Sequence, residues 1–127
     1  MSLLQLNAVL KRKSEPEDDG ACFYVESCRH PHLKFMIIDG RLARIDVEEP
    51  GASTSTGIRV GDSDSRVKHV YGSRVKIMAH QYIDSGHYLT IRSSSGKYGI
   101  RFETDQGKVI MFYAGAYQAI QYVEGCE

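Results

Sequence analysis

The 127-residue sequence has no tryptophan, no excess of charge of either sign and no apolar run long enough to cross a bilayer. Sixteen basic residues balance sixteen acidic ones, so the electrostatic footprint of a nucleic-acid binder is missing and nothing draws the whole chain toward anionic lipid. Sugar binders usually offer aromatic platforms, and the lack of tryptophan counts against one here. No G-x-S-x-G, H-E-x-x-H or P-loop occurs. The three cysteines show no CxxC and no zinc-ligand spacing, and there is no long internal repeat or low-complexity segment. Nothing implies a cofactor.

The N-terminus lacks the order of a signal peptide. Its short apolar run, Leu3 to Leu10, precedes the basic cluster Lys11, Arg12, Lys13, whereas a signal peptide has the reverse. Met1-Ser2-Leu3 looks like an added expression leader. The expectation is therefore a secreted or periplasmic protein whose native signal peptide has been trimmed away.

What is present suits one globular domain. A chain of this length buries on the order of two thirds of its unfolded surface, and 42% hydrophobic with 25% charged residues is ordinary for such a domain. Residues 1–20 read as a tail. Leu3, Leu6 and Leu10 fit one face of a short helix, and 11–20 (KRKSEPEDDG) is a charged linker. Residues 21–127 read as a single α+β domain.

From residue 21 the apolar period is two. Phe23 and Val25 alternate with Tyr24 and Glu26. The apolar run 33–38, the Asp39-Gly40 turn and strand 41–47 form a tight hairpin. In 41–47, Ala43, Ile45 and Val47 share one face and Leu42, Arg44 and Asp46 the other. Residues 48–57 (EEPGASTSTG) form a loop long enough to carry function, although a mobile connection explains it more simply. Asp62 or Ser63 caps a helix that ends at Gly72 and buries Val67, Val70 and Tyr71. Strands follow at 74–80, 87–93, 97–104 and 108–114, with a last one at about 118–124. The fold class expected is α+β: an antiparallel sheet of about six to seven strands with one short helix packed on one face.

Strand parity sorts the side chains. The apolar set, including Ile45, Leu89, Ile91, Ile100 and Phe102, packs on the helix. The opposite face carries Arg44, Asp46, Lys76, His80, Tyr88, Thr90, Arg92, Arg101 and Glu103. An antiparallel sheet can leave one face in water, so this face is expected to be exposed. Arg44, Tyr88, Arg92 and Arg101 are its candidate binding residues, because arginine and tyrosine are favoured at interfaces. Cys22 opens the first strand and Cys126 closes the last, which favours a Cys22–Cys126 disulfide with Cys28 free. The competing reading is three unpaired, partly buried thiols.

No set of residues meets the requirements of a catalytic centre. Ser93-Ser94-Ser95 sits in a turn without a base nearby. His30-Pro31-His32 supplies too few ligands for a metal. His80 and His87 flank a short loop, and Asp46 and Glu103 on an arginine-rich face read as ion-paired rather than as an acid–base pair.

The stretch Thr56-Gly57-Ile58-Arg59-Val60-Gly61-Asp62-Ser63, running into Val67, Val70, Tyr71 and Gly72, resembles the glycine-flanked approach to the helix in small bacterial envelope proteins. These are the BamE/SmpA-like outer-membrane lipoproteins and the β-lactamase-inhibitor-like domains. Gly99 to Asp105 and Tyr122 to Cys126 look like uncharacterised secreted bacterial proteins with the same approach. The resemblance spans about 56–126 and implies a helix packed on an antiparallel sheet. The function expected is an exported, non-catalytic bacterial domain that binds a protein or envelope component through the polar sheet face, with the oligomeric state left open. A small carbohydrate- or ligand-binding module and a hydrolase are the alternatives.

Overall fold

The computed structural model of the chain describes Ser2, Gln5 and residues 22–126. The helix expected from Leu3, Leu6 and Leu10 and the 11–20 linker lie outside the described residues. Seven strands form one sheet: β1 (Cys22–Ser27), β2 (His30–Ile38), β3 (Arg41–Val47), β4 (Lys76–Ala79), β5 (Gly86–Arg92), β6 (Tyr98–Asp105) and β7 (Lys108–Ala116). Their order is β1-β2-β3-β7-β6-β5-β4, and every neighbouring pair is antiparallel. Helix α1 (Asp64–Tyr71) packs on one face. The fold is thus α+β, as the strand and helix patterns indicate.

Local chemistry accounts for these elements. Asp39 and Gly40 both have positive φ, the backbone of the tight turn that a two-residue hairpin needs. Ser63 caps α1 by accepting a hydrogen bond from the Arg66 N–H, and the helix stops at Gly72. Val67 is fully buried against Leu89, Phe102 and Phe112. Val70, expected beside it, is 38% exposed. A helix this short presents one narrow stripe to the sheet; Val67 and Tyr71, four apart, hold it, and Val70 falls on the flank.

A shift of register corrects the face assignment in β3. Ile37 pairs with Leu42 while Met36 pairs with Arg44, so Ala43 is an extra residue in a bulge. Leu42 therefore joins Ile45 on the helix face instead of Arg44 on the other. The backbone of β3 presses close to β7 there: a Cβ on Gly115 would lie 2.1 Å from the Ala43 carbonyl oxygen. A second bulge near Glu103 leaves Ile110 unpaired between Val109 and Met111.

The expected strand at 118–124 does not form. Residues 119–121 make a 3-10 turn. β7 lies between β3 and β6, so the chain leaving it has no free edge beside it. It turns back across the sheet face opposite α1, burying Ala119 and Ile120. Gly99 makes room for this path, because a Cβ there would meet Ile120 Cδ1 at 2.8 Å. The tail ends on β1 through the Cys22–Cys126 disulfide, with Cα atoms 5.5 Å apart, and Cys28 is free and exposed.

Candidate functional site

The polar face is covered at its centre, and beside the tail it keeps a pocket of about 380 Å³ lined by Tyr24, Glu26, Lys34, Arg44, Asp46 and Glu48. Arg44 on β3 is 2% exposed, and Tyr88 on β5 and Arg101 on β6 are each 4% exposed. These three were expected on an open surface; the returning C-terminal segment covers Arg44 and Arg101, and the His80 ring stacks over Tyr88. Parity placed them together on one face correctly, but the partner that covers that face is an irregular tail without a periodic signal. Arg92 alone of the four remains exposed, with its guanidinium 4.0 Å from the centre of the Tyr117 ring.

Beneath the tail the ionised groups satisfy one another. Arg44 donates to both Asp46 oxygens, from Nε at 2.6 Å and Nη2 at 2.9 Å, and from Nη1 to the carbonyls of Ala119 and Tyr122 at 3.1 and 2.8 Å. Its guanidinium also lies 3.9 Å from the Tyr113 ring centre. Burial opposes its charge, but the hydrogen bonds and negative charge of Asp46 prevail, so its pKa is raised. Tyr24 donates to Asp46 Oδ2 at 3.2 Å. Burial, then the neighbouring carboxylate, pushes the Tyr24 phenol up to about 12. Tyr113 donates to Glu103 at 2.9 Å, and burial followed by the charge of Glu103 raises its pKa as well.

His80 continues the chain. Its Nδ1 accepts from the backbone N–H groups of Tyr82 and Ile83, which places the ring proton on Nε2, 2.6 Å from Glu103 Oε1. Its ring stacks on Tyr88 at 4.5 Å, while His87 points to solvent. Arg101 donates to Thr90 Oγ1 at 2.9 Å and to Gln121 Oε1 at 2.6 Å. Asp46 is ion-paired as expected. Glu103 instead finds a histidine and a tyrosine, a set no sequence spacing announces. The bonds from Arg44 and Arg101 to residues 119–122 hold the tail in place.

The opposite face has an opening. α1 covers the cross-strand row Leu89–Phe102–Phe112, but the next row, Ile91–Ile100–Ala114, forms the floor of a groove of about 450 Å³. Tyr71 and Tyr98 wall it, and Ser55 and Thr56 reach it from the 48–57 loop. Thr56 Oγ1 lies 3.0 Å from the Tyr71 hydroxyl. Tyr98 is 60% exposed. Sequence reasoning flagged the loop but not the groove, whose only sequence signal is the small stretch Ala114-Gly115-Ala116 where β7 loses its large apolar residues.

Among the described residues no helix is long and apolar enough to cross a membrane, and no three histidine, cysteine, aspartate or glutamate side chains are grouped to hold a metal ion. No protein-family model and no curated protein matches the chain. Among solved structures it is similar to a DUF4309 family protein, YjgB from Bacillus subtilis subsp. subtilis str. 168. The TM-score is 0.53 at 11% sequence identity, over 91% of this chain and 78% of that one. At that identity the likeness shows a shared fold and nothing more.

Proposed function

We propose that this chain is an exported bacterial binding domain without catalytic activity, and that its ligand occupies the groove on the helix face. The observation that carries this reading is the chemistry of the groove: the Ile91–Ile100–Ala114 row forms a concave apolar floor beside two tyrosines, whereas the pocket of about 380 Å³ on the polar face is lined by the ionic side chains of Glu26, Lys34, Arg44, Asp46 and Glu48. A concave apolar floor with a few polar groups at its rim is the usual form of a small-molecule site. Ser55, Thr56 and Ser93 line it without a carboxylate or imidazole among the lining residues, which supports binding over hydrolysis. The disulfide supports an oxidising compartment, and the resemblance of 56–72 to BamE/SmpA-like proteins supports a bacterial envelope setting.

The test is an amide-shift screen of the full chain against a panel of small metabolites, repeated on Ala114→Leu, which fills the groove. Hits should shift amides at 91–93, 98–100 and 114–115 and be lost in the variant while its melting temperature holds. Hits that map to 117–126 and survive Ala114→Leu would overturn the assignment. A second reading keeps a protein or envelope component as partner but moves its contact from the polar face to β4. That edge strand exposes Ile77 and Met78, with Tyr82 exposed nearby, and an open edge can accept another strand.

A further inference from the structure

The groove combines two features that together select a ligand. Its floor is hydrocarbon, because the cross-strand row offers the side chains of Ile91, Ile100 and Ala114. It stays open because α1 ends at Tyr71 and because Ala114 presents a methyl where the neighbouring row has the ring of Phe112. At its mouth stands a single formal charge. Of the side chains that line the groove only Arg74 is ionic. Arg74 is exposed and donates from Nη2 to the Arg92 carbonyl at 3.2 Å. Among the described residues no carboxylate lies within ion-pair distance of it.

We propose that the groove takes a single-chain amphiphilic carboxylate, with its apolar chain along the Ile91–Ile100–Ala114 row and its head group at the Arg74 guanidinium. This rests on the reading of the groove as the ligand site. Charge complementarity and the planar fork of arginine suit a carboxylate. A sugar would find hydrogen-bonding groups only at the rim, in Ser55, Thr56, Ser93 and the two tyrosines, and its remaining hydroxyls would lie over three aliphatic side chains that cannot bond them. A phosphate is usually held by several cations or backbone N–H groups together, and the lining residues supply one cation. The groove volume of about 450 Å³ falls within the roughly 300–1,000 Å³ typical of small-molecule sites.

The experiment titrates the isotopically labelled full chain with decanoate, decan-1-ol and decyltrimethylammonium, each below its micelle-forming concentration, and follows the same groove amides. Decanoate should bind about fivefold tighter than decanol, the gain expected of one exposed ion pair, and this advantage should shrink as salt is raised. The cationic analogue should bind weakest. Arg74→Gln should bring decanoate to the decanol affinity with the melting temperature unchanged. Equal binding of decanoate and decanol at the groove would overturn the carboxylate and leave the groove as a ligand site. Decanoate affinity unmoved by Arg74→Gln would likewise overturn it. If none of the three shifts the groove amides, the amphiphile is wrong, and hits in the metabolite screen then decide whether the groove itself is the site.

Discussion

The two faces of the sheet are built from the same strands and have opposite fates. On one, Arg44 and Arg101 lie under the C-terminal tail, and Asp46 and Glu103 are buried with hydrogen-bond partners of their own. On the other, Ile91 and Ile100 line an open groove. Charge did not mark the wet side. Parity along a strand says which side chains travel together; what covers them is decided by elements elsewhere in the chain. A buried ionic face is costly to assemble and still more costly to break, which suits a surface that fixes a tail better than one that waits for a partner.

Three measurements would break or sharpen this contrast. Replacing both bridging cysteines (Cys22→Ser with Cys126→Ser) should have the largest effect. The bridge spans a sequence separation of 104, and a loop of that size contributes about 4–5 kcal/mol in the chain-entropy model. A loss under about 1 kcal/mol in urea unfolding, far below that model, would mean that the tail is not held by its terminus and that the polar face is less secure than described. Asp46→Ala comes next. It strands the Arg44 guanidinium under the tail and should destabilise by about 3–5 kcal/mol. The apolar pair Arg44→Met with Asp46→Leu should recover part of this, but not all, since the Ala119 and Tyr122 carbonyls lose their donor. Near-equal unfolding midpoints for Asp46→Ala and the parent would show that water reaches the pair.

The smallest effect is at alkaline pH. The Tyr24 phenol is raised from 10.0 to about 12 in the folded protein, so the unfolded chain loses its proton first. The stabilisation this provides is complete below pH 10 and drains away as pH rises toward 12. Tyr113 acts in the same direction. A melting-temperature profile should therefore fall above pH 10, and Tyr24→Phe should flatten part of that fall. An identical profile in the variant would remove Tyr24 from the network.

Much of the architecture was legible in the sequence because it is local. The Asp39-Gly40 turn, the Ser63 cap, the stop at Gly72 and the period-two strands each follow from neighbouring residues. The Cys22–Cys126 pair is present although its premise, a last strand closed by Cys126, fails; the irregular tail carries Cys126 to β1 instead. What failed depended on distant contacts. Nothing near Arg44 says that the carbonyls of Ala119 and Tyr122 will cap it. The bulge at Ala43 that moves Leu42 to the other face is set by pairing with β2 and by the backbone of Gly115. For the candidate groove, the loop residues Ser55 and Thr56 were within reach of sequence reasoning, but Arg74 and Ala114 come together there only through the strand order.

That strand order also dictates a sequence of events in folding. β1, β2 and β3 pair only with sequence neighbours, as do β4, β5, β6 and β7, apart from the single seam where β3 meets β7. Hairpins between neighbours close on the microsecond scale of about 1–10 μs, whereas the seam must bring Val47 to Phe112 across about half of the chain and bears the larger loop-closure entropy. The seam is therefore expected to be the last of the strand pairings to form. The tail can dock only after that, since its resting place spans both sides of the seam, from Gly99 on β6 to Cys22 on β1. Oxidation of Cys22 and Cys126 therefore comes last, as a covalent record that the two halves have already met.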